Sequence, residues 1–336
     1  MTTIPFKDAT PVLRVQNLNV TFAGSPASVL DGISLTVRAG ETLALVGESG
    51  CGKSITSLAL MGLLPASAQI VSGEMQFRRH DLRKLSSREY ADLRGSELAM
   101  IFQEPMTSLN PAFTLGDQLS EAVMRHQNVS RAEAMKVALQ ILEKVQIPAA
   151  EMRLKAYPHQ LSGGMRQRVM IAMALLSEPE LVIADEPTTA LDVTIQAQIV
   201  ELVKELRTKL NTSIIWITHD LSLLAGMVDR IMVMYGGAVV EEAPLVDIYK
   251  DPRHPYTIGL LESIPRLNAK NGKRLSTIGG APPNLAVKPT SCPFAPRCKF
   301  RMERCDKELP VLTPVLGAEP GSLHRVACWA DVRGGK

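Results

Sequence analysis

A run of eight residues near position 50 has the residue types of a loop that binds phosphate. The run Gly47-Glu48-Ser49-Gly50-Cys51-Gly52-Lys53-Ser54 matches the pattern G-x-x-x-x-G-K-[ST]. Its glycines let backbone N–H groups converge on phosphate oxygens, and a helix that starts there adds the positive end of its dipole. Lys53 is expected to reach the β- and γ-phosphates, and Ser54 to ligate Mg²⁺. The pattern therefore predicts a site for a nucleoside triphosphate.

Two adjacent carboxylates follow a short apolar run at residues 181–184. Asp185 and Glu186 come at the end of this run, which has the composition of a buried strand. Ligands of open α/β sheets bind at the carboxyl ends of strands, so both side chains are expected beside the phosphate loop. Asp185 is predicted to hold Mg²⁺, and Glu186 to polarise the water that attacks the γ-phosphate.

A second pair of glycines indicates another anion site. Residues 161–168 read Leu-Ser-Gly-Gly-Met-Arg-Gln-Arg, which places Ser162, Gly163 and Gly164 at a predicted helix start. A serine and two glycines at a helix N-terminus can bind an anion. The sequence has only one phosphate loop, so these residues alone leave open which nucleotide the second site would meet.

Four of the five cysteines lie near the C-terminus. Cys292, Cys298, Cys305 and Cys328 could supply four thiolates, a donor set that suits a 4Fe-4S cluster. Zinc is an alternative, with His324 joining three of the cysteines, and unligated thiols are a third. Disulfides are the least expected state in a reducing compartment.

The segments around these residues alternate between short strands and helices. Residues 13–20 and 33–37 predict two strands of a small β layer. Residues 42–46 predict a strand that enters the phosphate loop, and residues 55–64 predict the helix that follows it. Later strands are predicted at residues 98–102, 181–184 and 214–217. Buried parallel strands separated by helices indicate an α/β core.

The pattern between residues 105 and 175 is helical and predicts an insertion into this core. Helices are expected at residues 115–126, 130–145 and 164–176, and Ser130 with Glu133 forms a capping-box pattern. Prolines and cysteines increase after the Gly236-Gly237 hairpin, which suggests an appended domain. The predicted parts are the first part of the core at 1–104, a helical subdomain at 105–175, the second part of the core at 176–244 and a small C-terminal domain at 245–336.

Composition limits the class of protein and of partner. A hydrophobic fraction of 46% with 21% charged residues is typical of a globular protein. The net charge of +3 gives no electrostatic reason to expect nucleic acid as a partner. The opening residues lack the apolar run of a signal peptide, and the longest apolar run, residues 169–176, is too short to cross a bilayer. The sequence predicts a cytoplasmic chain that reaches a membrane only through a partner.

Several motifs in order resemble those of the ABC ATPase family. Residues 161–168 resemble its signature sequence, Gln103 stands at its Q-loop, Ala190-Leu191-Asp192 at its D-loop and His219 at its switch histidine. The resemblance covers about residues 12–242. It implies the α/β P-loop NTPase fold of ABC ATPases, with a mixed sheet core, an N-terminal antiparallel β layer, an inserted helical subdomain and a small Cys-containing C-terminal domain.

The resemblance also implies roles for these residues. Two subunits would close head to tail on ATP, with Ser162, Gly163 and Gly164 contacting the partner's γ-phosphate and Asp192 organising the dimer interface. By the same resemblance, Gln103 would sense Mg²⁺ and the permease, and His219 would contact the γ-phosphate. Phe22 stands where the family stacks an aromatic ring on adenine, although a core phenylalanine would look the same.

Further motifs are similar to those of the dipeptide/oligopeptide/nickel importer subfamily. They are Phe102-Gln103-Glu104-Pro105-Met106-Thr107-Ser108-Leu109-Asn110-Pro111, Tyr157-Pro158-His159-Gln160, Arg253-His254-Pro255-Tyr256-Thr257 and the cysteine-containing tail. Glu104 departs from the aspartate that the subfamily often has, but it keeps the acid. Some members with a similar tail bind a 4Fe-4S cluster, which favours the cluster among the three alternatives for Cys292, Cys298, Cys305 and Cys328.

This resemblance implies an ATP-hydrolysing subunit that powers peptide import at the cytoplasmic face of the inner membrane. Nickel or another small solute is an alternative cargo, and a non-transport ABC ATPase is a more distant one. The implied cofactors are ATP, Mg²⁺ and the possible cluster. The implied partners are a second ABC ATPase, usually a paralogue, two membrane permease subunits and an extracytoplasmic solute-binding protein, with no nucleic acid.

Overall fold

The computed structural model describes residues 9–104, 108–189, 191–264, 277–317 and 322–334. These residues form two compact units, and each unit is assembled from separated segments. The first unit contains Val37–Glu41 and Phe77–Ile217, with the described residues up to Leu13. The second contains Arg14–Thr36, Thr42–Gln76 and the described part of Thr218–Lys336. The phosphate loop, residues 47–54, and the described residues of the C-terminal segment, 245–336, therefore belong to the same unit.

The elements follow the predicted alternation of strands and helices. The strands are β1 (Pro11–Phe22), β2 (Ser28–Arg38), β3 (Thr42–Val46), β4 (Ala68–Phe77), β5 (His80–Asp81), β6 (Leu98–Ile101), β7 (Leu181–Asp185), β8 (Ser213–Thr218), β9 (Arg230–Tyr235), β10 (Ala238–Pro244), β11 (Thr313–Pro314) and β12 (Arg325–Val326). The α-helices are α1 (Lys53–Leu60), α2 (Ser87–Leu93), α3 (Leu115–His126), α4 (Arg131–Lys144), α5 (Ala150–Arg153), α6 (Gly163–Leu175), α7 (Val193–Leu210), α8 (Leu245–Lys250) and α9 (Pro255–Glu262). The helix predicted at residues 55–64 is shorter at its end, where Gly62 has a φ of 63°.

Parallel strands β6, β7 and β8 form the sheet of the first unit. Ile101 lies opposite Ala184, and Asp185 lies opposite Ile217. All residues of β7 and β8 are buried, including Trp216, which is fully enclosed. Strands buried on both faces carry continuous apolar runs, so the three strands predicted from such runs are confirmed. Asp185 is the last residue of β7 and Glu186 directly follows it, so both carboxylates lie at the end of a strand of this sheet.

Local side-chain hydrogen bonds fix where the helices of the first unit begin. The Ser130 hydroxyl accepts a hydrogen bond from the Glu133 N–H at 3.3 Å, and the Glu133 carboxylate accepts one from the Ser130 N–H at 2.8 Å. The predicted capping box is therefore confirmed, and helix α4 follows it. Helix α6 begins after Ser162, and most of its apolar second half, residues 169–175, is buried.

A mixed set of strands forms the sheet of the second unit. Strand β3 runs parallel to β9, and β9 continues through the predicted Gly236-Gly237 hairpin into antiparallel β10. Both hairpin glycines have positive φ, 59° and 80°, as a tight two-residue connection requires. The same unit also contains three neighbouring strands in the order β2-β1-β4. The mixed sheet and β layer match the predicted fold class.

The C-terminal segment adds two short strands to this sheet. Strand β12 pairs antiparallel with β10, and β11 pairs antiparallel with β12. The predicted domain boundaries, including the one at residue 245, stay predictions, but the pairing shows that the tail extends the sheet of the second unit. None of the helices among the described residues has the length and apolar character needed to span a bilayer.

Candidate nucleotide site

The phosphate loop connects β3 to α1, as its sequence predicts. Every residue of β3 is buried, and α1 begins at Lys53. Gly47 is required by space, because a Cβ there would lie 2.3 Å from the Met234 carbonyl oxygen. Gly52 is required by conformation as well, since its φ is 104° and a Cβ would lie 2.6 Å from Leu30 Cδ2. These two positions of the predicted phosphate loop therefore require glycine.

Lys53 is held against the loop by the loop's own backbone. It is only 4% exposed, and its Nζ donates to the carbonyl oxygens of Gly47 at 2.8 Å and Glu48 at 3.0 Å. The Thr56 hydroxyl donates to the Gly52 carbonyl at 3.0 Å, which ties the first turn of α1 to the loop. A buried ammonium beside a helix N-terminus gives this loop a concentrated positive charge, which suits it to bind polyphosphate.

Cys51 lies inside the same loop and is buried. Burial raises the pKa of its thiol, so the side chain is neutral at physiological pH. Its Sγ lies 2.7 Å from the position that a Cβ on Gly47 would occupy. The sulfur therefore fills space within the loop, and any contact of Cys51 with phosphate would come from its backbone.

Phe22 and His219 belong to the same unit as the phosphate loop. Phe22 ends β1 and is half-buried, while His219 directly follows β8 and is exposed. Asp220 begins the short 3-10 helix Leu221–Leu224, with its carboxylate accepting from the Ser222 N–H at 2.8 Å. These placements leave the roles of Phe22 and His219 as predictions.

The first unit brings Gln103 and Glu186 together. Gln103 Nε2 donates to Glu186 Oε2 at 3.1 Å, and the Thr189 hydroxyl donates to the same oxygen at 2.9 Å. Asp185 is buried at the end of β7. The Glu186 backbone N–H donates to the Ile217 carbonyl at 3.0 Å. The carboxylate of Glu186 is thus positioned by two side chains.

Glu186 also has an unusual backbone. Its φ is 45°, a conformation that costs a residue with a side chain roughly 1–2 kcal/mol. Such strain persists where the surrounding structure enforces it and is common at active sites. The residue pattern does not identify this conformation, and the contact with Thr189, three positions along the chain, is a local feature that was not predicted.

The signature residues stand at the start of α6. Ser162 is the N-cap, and its hydroxyl accepts from the Met165 N–H at 3.4 Å. Ser162 and Gly163 are exposed, and the first turn contains no acidic residue. A Cβ on Gly164 would lie 3.0 Å from Ile195 Cγ2, so a larger residue would crowd α7. This exposed helix N-terminus can receive an anion from outside the unit.

Asp192 is the N-cap of α7. Its Oδ1 accepts from the Ile195 N–H at 2.9 Å, and the residue is exposed. The cap explains where this long helix begins. The helix is not among those predicted from the sequence. Ala190 of the predicted D-loop, and Pro105, Met106 and Thr107 of the motif after the Q-loop, lie outside the described residues.

The four C-terminal cysteines lie within electrostatic reach of one another. The Cys292 N–H donates to the Cys305 carbonyl at 3.0 Å, and the Phe300 N–H donates to Cys298 Sγ at 3.3 Å. Burial, together with the nearby Cys298, Cys292 and Cys305, raises the pKa of Cys328 to about 11. Within the described part of the chain, however, no group of three or more His, Cys, Asp or Glu side chains has an arrangement that could hold a metal ion. The thiols are neighbours without a ligating geometry.

The side chain of His324 contacts Glu241 of β10. Its Nε2 lies 2.8 Å from Glu241 Oε1, and both side chains are buried. Glu241 also accepts from the backbone N–H groups of Arg253 at 2.6 Å and His254 at 2.9 Å. This buried network connects β10 to the tail, and it argues against the predicted alternative in which His324 joins three cysteines around zinc.

Comparisons with known proteins show which family the chain is similar to. The family described as ABC transporter matches residues 30–189, and the family described as oligopeptide/dipeptide transporter, C-terminal region, matches residues 240–305. The chain is 52% identical over 321 residues to the dipeptide transport ATP-binding protein DppD of Bacillus subtilis, covering 95% of this chain and 94% of that protein. It is 49% identical over 326 residues to the oligopeptide transport ATP-binding protein OppD of Salmonella typhimurium, covering 96% and 95%.

Solved structures show the same fold. The ATP-binding cassette MJ0796, in a dimeric post-hydrolysis state bound to ADP and Pi, has a TM-score of 0.62 and 27% identity. The match covers 69% of this chain and 98% of that chain. The protein cbiO1 from Clostridium perfringens, part of the ABC transporter complex cbiONQ, has a TM-score of 0.63 and 27% identity, covering 72% and 91%. The predicted α/β P-loop NTPase fold is confirmed.

Proposed function

This chain belongs to the family of ABC transporter ATP-binding subunits, and we propose that it powers the uptake of peptides across the cytoplasmic membrane. The observation that carries the proposal is the match of residues 240–305 to the oligopeptide/dipeptide transporter C-terminal region. The similarity to dipeptide and oligopeptide transport proteins, with identities of 52% and 49%, extends over nearly the whole chain. Peptide transport is the activity that the names of both relatives state.

We further propose that ATP binds at the phosphate loop and is hydrolysed with Glu186 as the general base. The loop backbone and Lys53 would hold the phosphates, and the buried charge of Lys53 supports this role. Glu186 would take a proton from the attacking water, and the hydrogen bonds that its carboxylate accepts from Gln103 and Thr189 support a fixed orientation. His219 would contact the γ-phosphate, and Phe22 would stack on adenine.

Magnesium is a cofactor of this family, and three residues of the chain would hold it. Ser54, Gln103 and Asp185 supply hydroxyl, amide and carboxylate oxygens, which are the donors that Mg²⁺ prefers. When bound, the ion would neutralise charge on the phosphates. The chemistry of this donor set fits the ion.

Helix α6, which begins at the signature residues Ser162, Gly163 and Gly164, supports a dimer of ATP-binding subunits. Ser162 and Gly163 are exposed at a helix N-terminus, and the predicted partner for them is the γ-phosphate on a second subunit. ATP binding would close two subunits head to tail, closure would change the state of the permease, and hydrolysis would reset it. Asp192 would lie at the dimer interface, where its cap fixes the start of α7.

The proposed assembly follows from this cycle. The second ATP-binding subunit would be a paralogue, and two permease subunits and an extracytoplasmic binding protein would complete the importer. The chain would lie at the cytoplasmic face of the inner membrane and reach it through the permease. The net charge of +3 supplies no basis for a nucleic-acid partner.

Reconstitution tests the cargo. The chain, its permease partners and the binding protein are placed in liposomes with internal ATP, and uptake of labelled dipeptides and longer peptides is measured. We expect ATP-dependent peptide uptake that stops when the chain carries Glu186→Gln. Stimulation of ATP hydrolysis by a nickel chelate, with no response to any peptide, would contradict the proposal and favour the other cargo.

We also propose that Cys292, Cys298, Cys305 and Cys328 hold a 4Fe-4S cluster. Four neighbouring thiols match its donor set, and an N–H hydrogen bond to Cys298 Sγ is the kind of contact that stabilises a cluster sulfur. Cluster binding would require the thiols to move from the present arrangement, which does not have ligating geometry.

Iron and sulfide analysis after anaerobic purification tests the cluster. We expect about four iron and four sulfide per chain, with both lost in Cys298→Ser. Cys51→Ser is the matched control and should keep the iron, because Cys51 lies in the phosphate loop. Stoichiometric zinc or the absence of metal would contradict the cluster and leave the ATPase assignment unchanged.

A further inference from the structure

An arginine of the C-terminal segment holds the phosphate loop from the side. Arg297 ends the 3-10 helix Ala295–Arg297, far from the loop in sequence. Its Nη1 donates to Glu48 Oε2 at 2.6 Å, and its Nη2 donates to Glu48 Oε1 at 2.8 Å. Glu48 is the second residue of the phosphate loop. This two-point contact fixes both the distance and the orientation of the two side chains.

The guanidinium of Arg297 is itself fixed by its surroundings. The side chain is only 4% exposed. Its Nε donates to the Gly279 carbonyl at 2.9 Å, and its remaining donors reach the Ile278 carbonyl at 3.2 Å and the Tyr235 hydroxyl at 3.3 Å. It also lies over the Tyr235 ring, 5.7 Å from the centroid. A guanidinium with this many contacts has little freedom to follow Glu48, so Glu48 must conform to it.

The backbone of Glu48 is held by a second residue, Tyr256, which precedes the four C-terminal cysteines in the chain. The Glu48 N–H donates to the Tyr256 hydroxyl at 2.8 Å. Tyr256 is fully buried, and its ring lies 4.6 Å from that of Tyr235 and 5.4 Å from that of Phe294. Burial raises the pKa of Tyr256, so its phenol stays neutral and can accept this hydrogen bond.

The glycines of the loop leave its backbone more conformational freedom than other residues would. Gly50 and Gly52 both have positive φ and carry no side chain that could restrict the backbone. Ordering a glycine-rich loop when a ligand binds costs conformational entropy, and a loop already held in the binding conformation avoids that cost. Pro282, Pro283 and Leu285 of the same C-terminal segment line a cleft along residues 48–51.

We propose that Arg297 is a positioning residue for ATP binding, which acts by holding Glu48 and thereby the backbone N–H groups of the phosphate loop. The C-terminal segment then sets the affinity for ATP through this contact, in addition to any part it has in peptide import. The proposal rests on the ATP site alone. Its test measures nucleotide binding without transport, so its failure is distinguishable from a failure of the proposed cargo.

The test compares ATP binding to the purified full-length chain and to variants at each end of the contact. We expect Arg297→Ala and Glu48→Gln each to raise the Kd for ATP about tenfold, with Arg297→Lys between Arg297→Ala and the parent protein. Steady-state kinetics should show a raised KM with nearly unchanged kcat, because the contact orders the loop before chemistry begins. The double variant Glu48→Gln/Arg297→Ala should be no weaker than either single variant.

Arg301→Ala is the matched control. Arg301 belongs to the same segment, and its Nε lies 2.9 Å from Asp306 Oδ1 on the exposed surface. We expect this variant to keep the parent's Kd for ATP. Thermal unfolding by circular dichroism identifies variants that do not fold, and if Arg297→Ala is among them, Glu48→Gln decides the question.

Three results would overturn the proposal. The first is a folded Glu48→Gln that binds ATP within about twofold of the parent protein, because the contact would then be dispensable for affinity. The second is a loss of kcat with unchanged KM, which would indicate a smaller active fraction and a purely structural role. The third is an equal weakening by Arg301→Ala, which would show a general effect of the segment.

Discussion

Replacing Glu186 by glutamine is expected to abolish ATP turnover while ATP stays bound. Glutamine has the shape of glutamate and can keep the contacts with Gln103 and Thr189, which lie at 3.1 Å and 2.9 Å from Oε2. It cannot take a proton from water at neutral pH. Loss of a general base lowers kcat by about 10² to 10⁴ fold. The measurement is single-turnover hydrolysis together with equilibrium ATP binding.

The same variant should accumulate in the closed dimer. If hydrolysis opens the dimer, a chain that binds ATP without hydrolysing it will remain closed, and light scattering will report a stable dimer in ATP. Glu201→Gln is the matched control, because Glu201 is an exposed glutamate of α7 whose ion pair with Lys204 lies at the surface. It should keep normal turnover. A Glu186→Gln protein that hydrolyses ATP at the parent rate would show that another residue is the base.

Replacing Lys53 by alanine is expected to weaken ATP binding itself. Lys53 is buried, and its Nζ is held at 2.8 Å from the Gly47 carbonyl oxygen, so its charge is fixed at the loop. Truncating one partner of a buried, hydrogen-bonded charge pair costs about 2–5 kcal/mol. We therefore expect the Kd for ATP to rise roughly a hundredfold, since each tenfold change is about 1.4 kcal/mol. Titration of the purified chain with a fluorescent ATP analogue measures it.

Lys209→Ala is the control for this substitution. Lys209 lies on the exposed part of α7, with its Nζ 2.6 Å from Glu205 Oε1. Exposed pairs of this kind contribute little, so the control should bind ATP as the parent does. Unchanged ATP affinity in a folded Lys53→Ala protein would count against the phosphate loop as the nucleotide site. The Lys53 and Glu186 variants together separate binding from chemistry.

Local features of the site could be predicted from the sequence because they depend on residues close in the chain. The phosphate loop requires glycines at fixed spacing between a strand and a helix, and residues 47–54 provide this. The capping box of Ser130 and Glu133 involves residues three positions apart, and the structure shows it. Strands β7 and β8 could be predicted because a strand buried on both faces needs a continuous apolar run.

The contacts that orient these residues could not be predicted. Gln103 and Glu186 are separated by 83 positions, and Glu48 and Arg297 by 249. A pairing over such a distance depends on which strands become neighbours, and no local pattern encodes that choice. The rise in proline and cysteine content predicts an appended C-terminal domain but not which strand of the core it pairs with. Whether β12 pairs with β10 is decided by the exposed edge of β10, which the tail's own sequence does not reveal.

The residue types that could carry the chemistry could be predicted from the sequence: a phosphate loop, two carboxylates after a buried strand, a serine and two glycines at a helix start, and four C-terminal cysteines. Tertiary structure decided how these groups are held, including the strained backbone of Glu186 and the contact of Arg297 with the phosphate loop. The physical reason is the range of the interactions. Helix caps, turn glycines and apolar runs depend on neighbours in the chain, whereas the orientation of a side chain and a strained backbone depend on what the fold packs against them.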